Sequence, residues 1–229
     1  MIVSNRKDLK EIEKYIENLD KFFLIGCSEC ATLCGTGNEE AILNLKQWLE
    51  DNHKKVTGWM IAKTGCQILG TKRELSQYKE AIEQAQCIMV LSCGAGTQTI
   101  TELFEEKPVI PLNDTLFIGN MRRFREFEER CRACGECFLA ITGVCVVTLC
   151  PKSMLNGPCG GYKEGRCEVN PLRKCAWIIA YETLEKRGLM EKFYENILGP
   201  KDWSKANSPR QLKASTGYSK SKTEDPKEK

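Results

Sequence analysis

Apolar residues follow two different periods along the first half of the chain. Apolar side chains three or four residues apart predict an amphipathic helix over residues 6–20. The next run, Phe22 to Gly26, is wholly apolar, which is typical of a strand that is covered on both faces. A second helix is predicted to begin near Asn38. The chain therefore starts as a helix, a buried strand and another helix.

The same alternation repeats until about residue 112. It predicts further strands over residues 55–61, 87–92 and 108–112, a helix over 74–86, and another helix that opens at 93–97. Strands and helices that alternate at this spacing form parallel sheets with right-handed crossovers. We therefore expect an α/β fold with a four-stranded parallel doubly wound sheet. In the common order 2-1-3-4, its first and third strands are neighbours.

The second half of the chain has a different character. A charged helix is predicted over Met121–Arg130, and a cysteine-rich segment with many Gly and Pro residues follows it. A last amphipathic helix, Cys175–Lys186, is expected to dock this segment on the body. We expect an α/β domain over residues 1–120, a cysteine-rich iron-sulfur or zinc domain over 121–198, and a disordered tail over 199–229.

The charge of the chain is concentrated at its end. The formal net charge is +3, and residues 199–229 contain eight Lys or Arg and four Asp or Glu, so that the rest is about neutral. A nucleic-acid surface needs a clustered basic face, which the body lacks. No run approaches the length of a membrane-spanning helix, and no secretory leader is recognised. These features predict no nucleic-acid partner, no membrane insertion and a cytoplasmic location.

Cysteine is the residue type that carries the chemistry. The chain has 14 cysteines, and eight of them lie between Cys131 and Cys175. Cytoplasmic thiols stay reduced, which disfavours disulfides. Cysteines separated by two residues typically bind one common metal ion or cluster, so the pattern indicates metal binding or redox chemistry.

A first thiol site is predicted at the carboxyl edge of the sheet. Ligands of doubly wound sheets bind where the strand order reverses. Four cysteines follow the first and third strands: Cys27, Cys30, Cys34 and Cys93. A C-x2-C-x3-C spacing with one remote cysteine fits a four-iron, four-sulfur (4Fe-4S) cluster, and neighbouring glycines let backbone N–H groups approach the cluster sulfurs.

Alternatives remain open for this first site. A structural zinc ion is the main one, since zinc also binds four thiolates. A nucleotide phosphate on the turn from Gly94 to Gly96 is a weaker one. Cys66 follows the second strand and could replace one of the four ligands. Cys87 begins a strand and is expected to be a buried, inert thiol.

A second group of thiols fills the cysteine-rich segment. The spacing Cys131-x2-Cys134-x2-Cys137 is that of the first three ligands in bacterial ferredoxins, but the matching Cys-Pro pair comes late, at Cys150. The pairing is therefore open: two clusters, or one cluster and one zinc. The eight expected metal ligands are Cys131, Cys134, Cys137, Cys145, Cys150, Cys159, Cys167 and Cys175. With the first site, this predicts about three 4Fe-4S clusters.

Acid–base catalysis has little support in the sequence. His53 is the only histidine, and it lies in a polar stretch typical of a solvated surface residue. We therefore predict no catalytic side chains.

One string of residues resembles a known family. Asn156-Gly157-Pro158-Cys159-Gly160-Gly161, with Cys150 before it and Cys167 and Cys175 after it, is similar to the methylenetetrahydrofolate reductase C-terminal domain family. The Cys27, Cys30 and Cys34 spacing is similar to the amino-terminal portion of the same family. The resemblance covers about residues 5–195.

This resemblance implies a non-catalytic subunit of an oxidoreductase complex. Its clusters would carry electrons from an electron-donor protein to the flavin of a separate, MetF-type catalytic subunit, which reduces methylenetetrahydrofolate to methyltetrahydrofolate in one-carbon metabolism of anaerobes. Folate and flavin would bind that partner, because this segment is too short for a TIM barrel. The alternative is a zinc-binding scaffold of the same assembly without a redox role.

Overall fold

A computed structural model describes residues 1–207 of the chain. The strands are β1 (Ile2–Arg6), β2 (Lys21–Cys27), β3 (Lys55–Ala62), β4 (Cys87–Leu91), β5 (Val109–Pro111), β6 (Asn113–Arg123) and β7 (Glu126–Cys131). The helices are α1 (Leu9–Ile16), α2 (Cys30–Leu33), α3 (Glu39–Asp51), α4 (Ile68–Leu75), α5 (Lys79–Gln84), α6 (Gly94–Leu103), α7 (Leu139–Thr142), α8 (Val146–Leu149), α9 (Ala176–Lys186), α10 (Met190–Glu195) and α11 (Ser204–Asn207). The chain divides into two compact units, Met1–Arg132 and the part that begins at Ala133.

The first unit is built on a four-stranded parallel sheet in the order β3-β2-β4-β5. Counted along the predicted strands, this is the order 2-1-3-4, so the expected parallel sheet and its strand order are confirmed. The central strand β2 pairs with β3 on one side and β4 on the other. The carboxyl ends of these three strands therefore lie side by side.

Helices cover both faces of this sheet because its strands are apolar on both sides. On one face, Phe22, Leu24 and Met89 pack with Ile12 of α1 and Ile42 of α3. On the other face, residues of β2 and β4 pack with Leu75, Ile82 and Ile100 from α4, α5 and α6. The strands β2 and β4 are almost completely buried, as their continuous apolar runs predict.

A second, three-stranded antiparallel sheet in the order β1-β6-β7 completes this unit. The helix predicted over Met121–Arg130 is wrong, because these residues form the end of β6, a turn and β7. The two strands pair antiparallel along their backbones, and Glu128 also pairs with Arg122 on the neighbouring strand at 3.6 Å and with Arg130. A Cβ atom at Gly119 would overlap the carbonyl oxygen of Glu128, so the glycine lets the two strands approach.

Two further differences from the sequence predictions concern the first unit. The short strand β1 was not predicted, because only Ile2 and Val3 in it are apolar. The single helix predicted over residues 74–86 is two helices, α4 and α5, joined by a 3-10 turn at Ser76–Tyr78.

The second unit packs around α9, which confirms a helix at the predicted place. Trp177 is fully buried, and its ring centroid lies 5.6 Å from that of Phe193 in α10 and 5.8 Å from that of Tyr181. Val146 of α8 and Leu184 of α9 join the same core. Little regular structure surrounds these helices, so turns and short bridges shape most of the cysteine-rich segment.

The tail predicted to be disordered falls mostly on residues 208–229, which lie outside the described residues. Its first part, residues 199–207, contains α11 and the buried Lys201. None of the helices over residues 1–207 is both long enough and apolar enough to cross a membrane.

Candidate functional site

The carboxyl ends of β2, β3 and β4 bring three thiol-bearing loops to one edge of the sheet. Cys27 is the last residue of β2, Cys66 lies in the loop after β3, and Cys93 lies two residues beyond β4. Because β2 is between the other two strands, the loops that carry these thiols are neighbours.

The loop after β2 folds back on the strand that precedes it. The Cys27 N–H donates to the Gly37 carbonyl at 3.1 Å, and the Thr32 hydroxyl donates to the Cys27 carbonyl at 2.7 Å. A Cβ atom at Gly37 would overlap the Leu91 carbonyl oxygen of β4, so only glycine fits there. These bonds hold the short helix α2, which begins at Cys30, above the sheet edge.

Four thiols gather at this edge: Cys27, Cys30, Cys66 and Cys93. Burial raises the pKa of the Cys66 thiol, and the negative charges of Cys93, Cys27 and Cys30 raise it further. The Gly65 N–H lies 3.5 Å from the Cys27 sulfur and can donate to it. We call these four residues the sheet-edge thiols.

Cys34 lies on a different side of the same loop. Its sulfur is 3.9 Å from the Ile2 carbonyl oxygen, and it lines a cavity of about 570 Å³ together with residues of β1 and β6. Cys30 is close to the same strand, since its sulfur accepts the Ile2 N–H at 3.4 Å. The structure thus places Cys66, which the sequence offered only as a replacement, on a loop beside those of Cys27 and Cys93, while Cys30 and Cys34 both lie against Ile2.

Two buried hydroxyls at this edge have no hydrogen-bond partner in the part of the chain that the structure describes. They belong to Ser92 and Thr97, which are 2% and 9% exposed. A Cβ atom built at Gly65 would lie 3.4 Å from the Ser92 hydroxyl and 3.5 Å from the Cys27 sulfur, so this hydroxyl and this thiol face the same place. An unpaired buried donor is costly, and sulfur atoms of a bound anionic group could accept from it.

The helix α6 adds a favourable field to the same edge. Cys93 is its N-cap residue and is 8% exposed, and the ten-residue helix begins directly after it. The amino end of a helix carries partial positive charge, which stabilises a thiolate. By contrast, Cys87 is completely buried in β4, and burial raises the pKa of its thiol to about 12, so it stays protonated as predicted.

Four of the eight downstream cysteines surround one small cavity within the second unit. Cys150, Cys159, Cys167 and Cys175 line a space of about 20 Å³, closed on other sides by Pro158 and Trp177, among others. The last four of the eight cysteines therefore line one cavity together, and Cys134, Cys137 and Cys145 do not line it.

Backbone hydrogen bonds and glycines hold this cavity. The Cys167 N–H donates to the Arg173 carbonyl at 3.0 Å, and the Cys175 N–H donates to the Gly165 carbonyl at 2.8 Å. Gly157 and Gly160 have φ angles of 115° and 80°, which L residues with side chains rarely adopt. The glycines of the Asn156 to Gly161 string are thus required by the turns that present Cys159.

A charged pair lies against Cys159. The Cys159 sulfur is 3.4 Å from a Glu168 carboxylate oxygen, and Lys152 pairs with the same carboxylate. The hydrogen bond between them raises the pKa of Lys152 and lowers the pKa of Glu168. Both groups therefore remain charged beside this thiol at neutral pH.

The remaining downstream cysteines, Cys131, Cys134, Cys137 and Cys145, do not line this cavity. The Cys134 thiol lies 3.3 Å from the Glu136 carbonyl oxygen, and the Cys145 thiol lies 3.3 Å from the Thr148 hydroxyl. Cys137 is exposed, and Cys131 ends β7 in the first unit. The structure therefore does not bring this set together around one cavity within residues 133–207.

No three His, Cys, Asp or Glu side chains among residues 1–207 already have the spacing of a metal site. The thiols fit a metal in their chemistry, and a bound metal would draw their sulfurs closer together than they lie here. His53 is exposed at the end of α3 with a φ of 59°, as expected for a surface residue.

The fold and these residues define the class of the protein: a parallel α/β unit with thiols at the carboxyl edge of its sheet, followed by a cysteine-rich unit.

Comparison with known families adds one finding. Residues 110–204, less than half of the chain, match the family described as methylene-tetrahydrofolate reductase C terminal. The match includes β6, β7 and all eight downstream cysteines, while the expected resemblance of the preceding residues lies outside it. No curated protein matches the chain.

Proposed function

We propose that this chain is an iron-sulfur electron-transfer subunit of a methylenetetrahydrofolate reductase, similar in role to the small MetV type of subunit. The observation that carries the proposal is that Cys27, Cys66 and Cys93 lie on neighbouring loops at the sheet edge, where the Cys27 sulfur and the unpaired Ser92 hydroxyl both lie close to Gly65. The family match of residues 110–204 supports the association with the reductase. Neither observation depends on the other.

The residues at the sheet edge suit an anionic, sulfur-rich group. The Gly65 N–H and the Ser92 hydroxyl can donate to sulfur, and the amino end of α6 contributes positive charge. These donors stabilise the reduced, more negative state, which raises a reduction potential. A cluster bound there would accept and release single electrons.

The substrate chemistry belongs to the proposed partner. Reduction of methylenetetrahydrofolate to methyltetrahydrofolate takes up two electrons and two protons, which a flavin can collect one electron at a time. We propose that a MetF-type subunit holds the flavin and folate, that the present chain passes electrons to that flavin, and that a separate cytoplasmic donor protein supplies them. No nucleic acid is part of this scheme.

Metal and sulfide analysis of the anaerobically purified full-length chain tests the proposal. Three thiol groups would give roughly twelve irons and matching acid-labile sulfide per chain if each holds a 4Fe-4S cluster. The reduced protein should then reduce the flavin of a separately purified MetF-type subunit, whereas the same protein after iron removal should not. A colourless chain with zinc and no sulfide contradicts the proposal.

A second candidate function is a zinc-binding scaffold of the same assembly. It is favoured by the size of the space between Cys150, Cys159, Cys167 and Cys175, because about 20 Å³ suits a single ion more closely than a four-iron group. If zinc fills only this cavity, the purified chain contains roughly eight irons and one zinc, and the electron-transfer proposal stands.

A further inference from the structure

The cavity beside the antiparallel sheet has the size of a small-molecule site. Its volume is about 570 Å³, and its walls come from β1, β6, β7, the loop at residues 34–36 and the first two turns of α3. Ligand pockets in proteins typically measure about 300–1,000 Å³. Every residue that lines the cavity belongs to the first unit, so this unit forms the cavity from its own elements.

Two arginines bring positive charge to this cavity. Arg6 is the last residue of β1, and Arg125 lies in the turn between β6 and β7. Neither guanidinium group has a hydrogen-bond or ion-pair partner within residues 1–207. The Arg125 guanidinium lies 5.3 Å from the centre of the Phe124 ring, which limits the positions that it can take. Two free guanidinium groups on one cavity favour a ligand with a phosphate or carboxylate group.

One carboxylate, that of Glu40, lines the same cavity. Partial burial lowers the pKa of the Arg6 guanidinium, and the charge of Glu40 raises it. Arg6 stays charged at neutral pH because an arginine pKa lies far above 7. The cavity therefore combines two cationic groups with one acceptor of hydrogen bonds, and a carboxylate is a common acceptor for the hydroxyls of a ribose.

The cavity also has an aromatic wall that the protein core does not use. Phe117 of β6 and Phe127 of β7 line it, both are partly buried, and neither belongs to a hydrophobic core of the chain. Aromatic side chains of this kind stack with the flat ring of a nucleobase. The amides of Asn5 and Asn44, which also line the cavity, can donate to a ring edge and accept from it.

We propose that this cavity binds a mononucleotide. The base packs against Phe117 and Phe127, the phosphate binds Arg6 and Arg125, and Glu40 accepts from the ribose hydroxyls. A simple anion would leave the aromatic wall unused, and an uncharged aromatic compound would leave both guanidinium groups unpaired. No metal and no partner subunit enters this inference, so its outcome is independent of the proposed function.

Calorimetric titration of the full-length chain tests the inference with adenosine monophosphate and uridine monophosphate, and the tighter of the two identifies the ring. Adenosine, uridine and inorganic phosphate are the matched probes, since each contains only one part of the ligand. Each should bind at least about tenfold more weakly than the corresponding nucleotide, because it loses either the phosphate contacts or the stacking. Equal affinity for nucleoside and nucleotide, or no binding of either nucleotide, overturns the inference.

Substitutions then locate the binding site. Arg6→Met and Arg125→Met should each weaken binding of the nucleotide about tenfold, because a charged hydrogen bond to the phosphate is lost. Phe127→Ala should weaken it by a similar factor through the loss of stacking. If none of the three variants weakens binding, the nucleotide binds elsewhere and the inference fails.

Two control variants match these substitutions outside the cavity. Arg123→Met removes the same charge two positions before Arg125, and Tyr15→Ala removes a ring of α1 that is 59% exposed. Neither residue lines the cavity, so both variants should bind the nucleotide like the unchanged chain. An equal loss in Arg123→Met and Arg125→Met would show a general effect of charge and overturn the inference. Arg125 is exposed in a turn, so Arg125→Met keeps the test decisive if Phe127→Ala does not fold.

Discussion

Asn156 and Leu198 are joined by a reciprocal pair of hydrogen bonds across 42 positions of the chain. The side-chain amide of Asn156 satisfies both the N–H and the carbonyl group of Leu198, and it thereby ties the segment that carries Lys201 to the unit. The family-like string from Asn156 to Gly161 thus has two roles: it shapes the turns around Cys159, and it anchors the end of the unit.

Replacing Asn156 with alanine should release this anchor. The loss of two hydrogen bonds at a partly solvated site should lower the free energy of unfolding by about 1–2 kcal/mol. Urea unfolding followed by tryptophan fluorescence measures it, with Trp48 and Trp59 of the first unit replaced by phenylalanine so that Trp177 and Trp203 give the signal. Asn196→Ala is the control, because the Asn196 side chain donates to the carbonyl of Lys192, four residues before it. An equal loss in both variants would contradict the assigned role.

Replacing Cys66 should remove the metal of the sheet edge, whereas replacing Cys34 should not. Cys66→Ser takes away a thiol that lies among Cys27, Cys30 and Cys93, and Cys34→Ser changes a thiol beside β1. We expect roughly four irons fewer per chain in the first variant and no change in the second. The reverse result would restore Cys34 as the fourth ligand.

Two buried serines provide a contrast between a satisfied and an unsatisfied hydroxyl. Ser4 shares a hydrogen bond of 2.9 Å with Thr36, and the Ser92 hydroxyl has no partner among residues 1–207. In metal-free protein, Ser4→Ala should cost about 1–3 kcal/mol and Ser92→Ala should be neutral or stabilising. Equilibrium unfolding in denaturant measures both.

The same Ser92→Ala variant should behave differently once metal is bound. Loss of the hydroxyl donor should make the midpoint potential of the sheet-edge site more negative, because the reduced state loses a hydrogen bond. An unchanged potential would show that the hydroxyl does not face the bound group.

Cys87 should make the stability of the first unit fall at alkaline pH. The buried thiol has a pKa of about 12, compared with 9.0 for an ordinary thiol, so between these values the unfolded chain loses a proton that the folded chain keeps. This contribution is fully present below pH 9 and is lost by about pH 12, with a limit of about 4 kcal/mol.

Cys87→Ala isolates this contribution from the titration of other groups. The variant is less stable at neutral pH because a cavity replaces the sulfur, but the difference from the unchanged chain should narrow as the pH rises above 9. Unfolding in urea at a series of pH values measures the difference. If the difference in unfolding free energy stays constant with pH, the thiol ionises as readily in the folded chain as in the unfolded chain.

The sequence predicted the central sheet well because burial on both faces leaves a continuous apolar run. β2 and β4 are of this kind, and their order placed Cys27 beside the loop of Cys93. The residues of β7 could not be assigned from their pattern, since charged residues suit an exposed helix as well as an edge strand. The backbone pairing of β7 with β6, which the pattern does not encode, distinguishes the two.

The sequence likewise predicted only part of the arrangement of the thiol sites. Spacing identified the cysteines, but only the strand order shows that the loop of Cys66 lies beside the loops of Cys27 and Cys93. The cavity among Cys150, Cys159, Cys167 and Cys175 depends on backbone bonds such as that from Cys175 to Gly165, which spacing does not encode. Lys201 lies in a stretch whose composition predicts disorder, but its side chain is buried, and Leu198 just before it is bonded to Asn156.

The central place of β2 has a consequence for motion at the sheet edge. Strand β2 is bonded to β3 on one side and to β4 on the other, whereas β5 pairs only with β4. Local opening begins where few bonds and little apolar contact must be lost, so amide hydrogens of β5 should exchange with solvent before those of β2 and β4. Cys27 and the loop of Cys93 are thus attached to the slowest-exchanging part of the sheet, and they can keep their mutual position while its outer strand frays.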